Sequence, residues 1–209
     1  MKAHQRLALL GLISLGAGSF SSCVTTQIKQ NQLQQPESDW VLPSRALNGD
    51  IQAQAEALPW THGRERVDLI SWFASVGEPA YDTLLGFLSD ERAEVIGTAL
   101  AALGATGDPR LVSYLRNAER PEWTGNLLLE FARTRVRLGD WDAMPPLIDG
   151  LESEEMFVRS LCAQSLFEAT RESHGYDSRA AMPERAAAVS RWRTWWDRRS
   201  KDELLVGQF

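Results

Sequence analysis

A turn that recurs three times limits what this chain can fold into. Gly77-Glu78-Pro79, Gly107-Asp108-Pro109 and Gly139-Asp140-Trp141 stand 30 and 32 residues apart, each between two apolar segments with helical spacing. In the middle copy Gly107 suits the left-handed residue that closes a helix. Asp108 offers a side-chain oxygen to the free N–H groups that open the next one. Pro109 suits a first helical position, where a missing N–H costs nothing. One tripeptide thereby ends one helix and starts another. Leu85, Leu115 and Leu147 each follow their glycine by eight residues, which places them on the expected buried face of the second helix. Turn, leucine offset and period together predict stacked helical pairs.

The spacing predicts outer helices near 64–75, 91–104, 122–138 and 154–171, inner helices near 80–88, 110–118 and 143–151, and a last helix from Pro183. Pro145 and Pro146 forbid a regular helix interior, so the third inner helix must start at one of them. No segment alternates as a strand would. The run Gly139-Asp140-Trp141-Asp142-Ala143-Met144-Pro145-Pro146-Leu147-Ile148 resembles the turn and inner helix of a HEAT repeat. Glu155-Met156-Phe157-Val158-Arg159, with Ala163 and Leu166, is similar to the outer helix of the same repeat. The resemblance covers about residues 64 to 170. It implies an all-α fold: an α-α superhelix, or HEAT-like solenoid, of about three to four helical pairs with a C-terminal capping helix. Trp141 stands where the family usually has proline, and Glu78 is a poorer cap than aspartate.

The first twenty-two residues read as an export signal. Met1 to Arg6 is short and basic, and Leu7 to Phe20 is apolar but shorter than the ~20 residues of a membrane span. Phe20-Ser21-Ser22-Cys23 resembles the lipobox of bacterial lipoproteins, which implies lipidation of Cys23 and anchorage in the cell envelope. Val24 after the cysteine favours, in a two-membrane cell, the outer membrane facing the periplasm. An ordinary secretory signal cleaved near Ala17-Gly18-Ser19 is the alternative. With Cys23 lipidated, Cys162 is the sole thiol left, so neither a disulfide framework nor a zinc site is expected.

Residues 23–60 are expected to hold a lipidated end and a flexible, glutamine-rich linker, with Trp40, Val41 and Leu42 docking on the domain edge and a short helix over Ile51 to Leu58. Residues 61–172 hold the repeats, and 173–209 a loop and the capping helix. There Val189, Trp192 and Trp196 share one helical face. The segment from His174 to Trp196 resembles a C-terminal extension of some bacterial HEAT-repeat proteins, which implies a cap on the open end of the stack. Loss of Lys2 and Arg6 takes the formal charge from −6 to −8, which argues against nucleic acid as a partner. The charge is uneven: residues 24–178 carry −11 and residues 179–201 carry +5.

No phosphate-cradling glycine loop, nucleophile elbow or Cys/His dyad is present. His174 with Tyr176 and Asp177 is too sparse for a metal or acid–base site, and Glu152, Glu154 and Glu155 read as a solvated helix start. The chain is therefore expected to be no enzyme, to need no cofactor, and to act as an interaction scaffold for another envelope protein. Its solvent-side candidates on the inner helices are Asp82, Arg110, Ser113, Arg116 and Asp149. Two alternatives belong to other classes. Some HEAT-like proteins resemble bilin lyases, which would make the chain an enzyme or its helper. The basic terminal helix, through Arg191, Arg193, Arg198 and Arg199, offers binding to anionic lipid or cell-wall polymer; alternatively those arginines are its solvated face while the tryptophans cap the core.

Overall fold

Why these residues fold as they do is clearest at the glycine turns. The computed structural model describes residues 38–201; the expected signal segment and Cys23 lie outside the described residues. The fold is all-α, with no strand among the described residues. Its helices are α1 (Arg45–Ala57), α2 (Gly63–Val76), α3 (Tyr81–Gly86), α4 (Ala93–Thr106), α5 (Leu111–Ala118), α6 (Gly125–Arg137), α7 (Met144–Gly150), α8 (Met156–Thr170) and α9 (Met182–Arg199). The four expected outer helices are α2, α4, α6 and α8. The inner ones, α3, α5 and α7, are shorter than expected, and α3 and α7 are entered through single 3-10 turns, Glu78–Ala80 and Trp141–Ala143.

Gly107 closes α4 in the left-handed conformation, with φ 69°. Asp108 does not cap the helix as expected: the N-cap position is Arg110, without a side-chain cap bond, and the Asp108 Oδ1 accepts from the Arg110 N–H at 3.0 Å in the turn before it. The helix starts two residues later than foreseen, at Leu111 rather than Pro109. The cause is visible in the hydrogen bonds: Leu111 N–H returns to the Asp108 carbonyl, so Pro109 and Arg110 form a turn before the helix proper. The proline at 145 falls in the first turn of α7, where it displaces no helical donor.

The leucine register holds in two copies of three. Leu115 and Leu147 are fully buried, whereas in the first copy Leu84 takes the buried place and Leu85 sits at the core's edge. In α3 the core-facing pair is Tyr81 and Leu84, at i and i+3, and this leaves Leu85 beside the stripe.

Outer helices pack side by side, α2 on α4, α4 on α6 and α6 on α8, while α3 and α7 pack on their outer partners and α9 closes on α7. One core runs from Trp40 and Ile51 through Phe73, Leu100 and Leu115 to Phe131. A second gathers Val136, Met144, Leu147, Val158, Leu166, Val189 and Trp192. Helix α6 feeds both. Its Thr134 approaches α4 closely where Gly104 offers no side chain: a Cβ there would stand 3.3 Å from Thr134. The Thr134 hydroxyl donates to the Leu100 carbonyl at 2.9 Å, so the buried polar group is satisfied. Burial of each of these large apolar side chains contributes about 1.5–3 kcal/mol.

The second half of the expected linker is folded. Ser44 caps α1 through the Leu47 N–H, and α1 begins at Arg45 rather than near Ile51. Ile51, Ala55 and Leu58 enter the first core, an i, i+4, i+7 stripe that drives a helix onto it. Trp40 docks as expected; Val41 and Leu42 stay exposed. At the other end, the loop before α9 is pinned from two sides. Tyr176 donates to the Leu151 carbonyl at 2.6 Å. Buried Arg159 donates to the carbonyls of Ser153, Glu154 and Ser178. Among the described residues no helix is long and apolar enough to cross a membrane.

Candidate interaction groove

The inner-helix side is not uniformly open. Residues 38–41 lie against its first two turns. Ser38 donates to Asp82 at 2.6 Å, the Val41 N–H reaches Glu78 at 3.3 Å, and Tyr114 donates to Asp39. Trp40 is wedged edge-on against Tyr81 and tilted on Tyr114, at centroid distances of 5.0 and 4.8 Å, with the Arg110 guanidinium 5.3 Å from its ring centre. Asp82, a candidate by helical position, is thus engaged by the chain's own N-terminal segment.

Beyond that segment lies a groove of about 680 Å³. One wall is the second turn and α5, through Pro109, Arg110, Val112, Ser113 and Arg116. The floor is the third turn, Leu138 to Asp142. The far wall is the end of α9, through Trp196, Arg199 and Ser200. Three of the candidates chosen by helical position, Arg110, Ser113 and Arg116, therefore share one site, and Arg199 of the basic helix joins them. The other candidates do not. Asp149 pairs with Arg193 at 2.9 Å, and Arg193 also grips Glu152 at 2.6 Å. These contacts fasten α9 to α7 and remove Arg193 from the supposed free basic surface. Arg191 and Arg198 lie on a different side of α9, against the His174 loop.

The groove is held in shape by its own ion pairs. Arg110 reaches Asp108 at 2.7 Å and Glu78 of the preceding turn at 3.2 Å. Arg116, at the end of α5, clasps Asp140 at 2.5 and 2.9 Å and also meets Asp142 at 2.8 Å. Arg135, from α6, donates to Asp140 at 2.7 Å. The Asp140 side chain is only 1% exposed. Burial alone raises a carboxyl pKa, but the hydrogen bonds from Arg116 and Arg135 outweigh it and hold Asp140 below the usual carboxylate range. Asp108 is lowered likewise, first by its hydrogen bond from Arg110. Arg116 is raised, first by Asp140. Three guanidiniums and four carboxylates compensate one another here, so the groove offers little net charge from this wall and the floor.

What it does offer is apolar surface with donors at its rim. Trp141 and Trp196 are half-buried, as is Val112, and Ser113 is exposed. Arg199 stacks 4.6 Å above the Trp141 ring and 5.9 Å from Trp195. Aromatic walls with a planar cation between them are the composition of protein recognition sites. Among the described residues no three His, Cys, Asp or Glu side chains converge as metal ligands. Sequence reasoning missed Asp140 as a buried anchor, because a turn aspartate reads as a cap. It also missed Trp141 and Trp196 as groove walls, because the latter was assigned wholly to the capping face. The signal available was a pair of arginines, Arg116 and Arg135, both preceding an aspartate turn, 24 and 5 residues upstream. Compared with protein-family models and with curated proteins, the chain matches none.

Proposed function

We propose that this chain is a non-enzymatic interaction scaffold: a short HEAT-like solenoid, capped by α9 and tethered through lipidated Cys23 to the bacterial envelope, which receives a segment of another envelope protein in the groove between α5, the third turn and α9. The groove carries the reading. It leaves two tryptophans and a valine half-exposed on a rigid, ion-paired frame, and a preorganised apolar cleft binds with little ordering cost. The solenoid reading is supported by the side-by-side outer helices and by arginines that link one glycine turn to the next, as Arg110 links Glu78 with Asp108. Stacked repeats of this kind present extended surfaces for other proteins. A lipid tether would raise the local concentration of the site at the membrane.

The test is membrane fractionation with in-cell crosslinking, comparing the wild type with Cys23→Ala. A lipid-bearing wild type that sediments with membranes and crosslinks to one envelope protein supports the reading. A Cys23→Ala variant that remains equally membrane-bound refutes the tether. A wild type with no crosslinked protein refutes the scaffold.

A further inference from the structure

The side of α9 turned from the groove holds a second concavity, of about 520 Å³, between the helix and the loop that carries His174. Three guanidinium groups line it, from Arg191, Arg198 and Arg199, and no carboxylate does. That is unusual for this chain. Elsewhere on the same helix Arg193 is taken by Asp149 and Glu152, and Asp197 is taken by Lys201 at 2.6 Å. Two of the three, Arg191 and Arg199, are positioned without being consumed by a carboxylate. Arg191 donates through Nε to the His174 carbonyl at 2.8 Å, which fixes its plane and leaves both terminal amino groups without a protein partner among the described residues. Arg199 is held by stacking on Trp141 and Trp195, and its buried Nε makes no hydrogen bond. Arg198 is exposed.

The opposite wall is equally fixed. His174 and Gly175 both adopt positive φ, 46° and 69°, which folds the loop back onto α9. The His174 ring stands edge-on to Trp192 with centroids 4.4 Å apart. A Cβ on Gly175 would meet an Arg191 terminal nitrogen at 3.3 Å, so the loop's backbone and the guanidinium are in close register. The Trp195 ring supplies an apolar floor.

We infer that this pocket binds a phosphate-bearing ligand. Guanidinium forks match phosphate oxygens in bidentate geometry, and three of them neutralise a doubly charged group. The C-terminal end of a helix repels an anion with the equivalent of about half a charge, which three cations outweigh. The Trp195 face beside the guanidiniums suits a ligand that carries a further group: a phosphate ester, either soluble or the headgroup of a phospholipid. The site shares only Arg199 with the groove proposed above.

The experiment is a titration of the protein with glycerol phosphate and, separately, with phosphatidylglycerol vesicles in a phosphatidylcholine background, read by the NMR shift of the Trp195 indole N–H. A saturable shift is expected. Arg191→Gln and Arg198→Gln should each weaken it about tenfold, the loss of one charge-assisted contact. Lys201→Gln, which removes the same formal charge from just past the end of the same helix at a residue paired only with exposed Asp197, should leave it unchanged. Arg198 makes no contact that the fold needs, so its variant should melt at the wild-type temperature. Saturation by both probes identifies a soluble ester as sufficient, and saturation by vesicles alone identifies the headgroup in its membrane. Either supports the pocket. Absence of saturation with both probes overturns it, as does an equal loss in Lys201→Gln, which would reduce the effect to diffuse charge.

Discussion

Replacing Asp140 by asparagine probes how the groove is built. The aspartate accepts three guanidinium hydrogen bonds, two from Arg116 and one from Arg135, with its side chain 1% exposed. Removing one partner from a buried ion pair costs about 3–5 kcal/mol, because the remaining charge stays desolvated. Here Arg116 is 48% exposed and keeps Asp142, while Arg135 is 11% exposed and keeps only Glu119, at 3.2 Å. The expected loss therefore falls at the lower end, about 3 kcal/mol, or roughly 6–12 °C in melting temperature for a domain of this size. The assay is urea denaturation of the wild type and the variant, with Asp142→Asn as control. Asp142 is 65% exposed, so its exposed pair should contribute about 0–1 kcal/mol. The pH dependence gives a second reading. Because the folded-state pKa of Asp140 is depressed, its contribution is complete above the unfolded carboxylate value near 4 and is lost as pH falls through the folded one. The gap between wild type and Asp140→Asn should be constant from pH 7 to about 5 and close below 4. A cost no larger than that of Asp142→Asn, or a gap independent of acid, would refute the argument that Asp140 knots α5, α6 and the third turn together.

Other expectations follow from single residues. Gly97→Ala, in the interior of α4 with open space around it, should stabilise by up to ~1 kcal/mol. Gly107→Ala, with φ 69°, should cost about 1–2 kcal/mol, both read as shifts in the urea midpoint. Gly150→Ala places a Cβ 2.4 Å from the Cys162 sulfur and should cost about 1–3 kcal/mol, part of which Cys162→Ala should restore in a double-mutant cycle. Burial pushes the Cys162 thiol up to about 11, so it should resist alkylation at pH 8 until the chain unfolds. The stability linked to that thiol is complete below its unfolded value near 8.5 and is lost as pH rises through about 11.

Much of the fold is legible in the chain because glycine turns and apolar periodicity are local signals. The outer helices fall within three residues of their expected ends, since each is bracketed by a left-handed glycine or a polar turn and carries a long apolar stripe. The inner helices are less legible. Six to eight residues leave little periodicity to read, so spacing alone does not choose between the neighbours Leu84 and Leu85, of which Leu84 is buried. The second half of α1 was legible as a short helix over Ile51 to Leu58, but its first half, from Arg45, was hidden by Asn48 and Gly49, which are poor helix formers. The groove was half legible. Helical position selects Arg110, Ser113 and Arg116, but the pairing of Arg193 with Asp149 and Glu152, and the covering of Asp82 by Ser38, are contacts across 41, 44 and 44 residues that no local pattern encodes.

The measurement closest to the central claim is site-specific photo-crosslinking in cells from Ser113, inside the groove, and from Arg64, exposed at the start of α2 on the outer-helix side. The account predicts one discrete protein adduct from Ser113, lost when Trp196→Ala strips the groove wall, and none from Arg64. An absence of adduct at Ser113, or the same adducts from both positions, would contradict it.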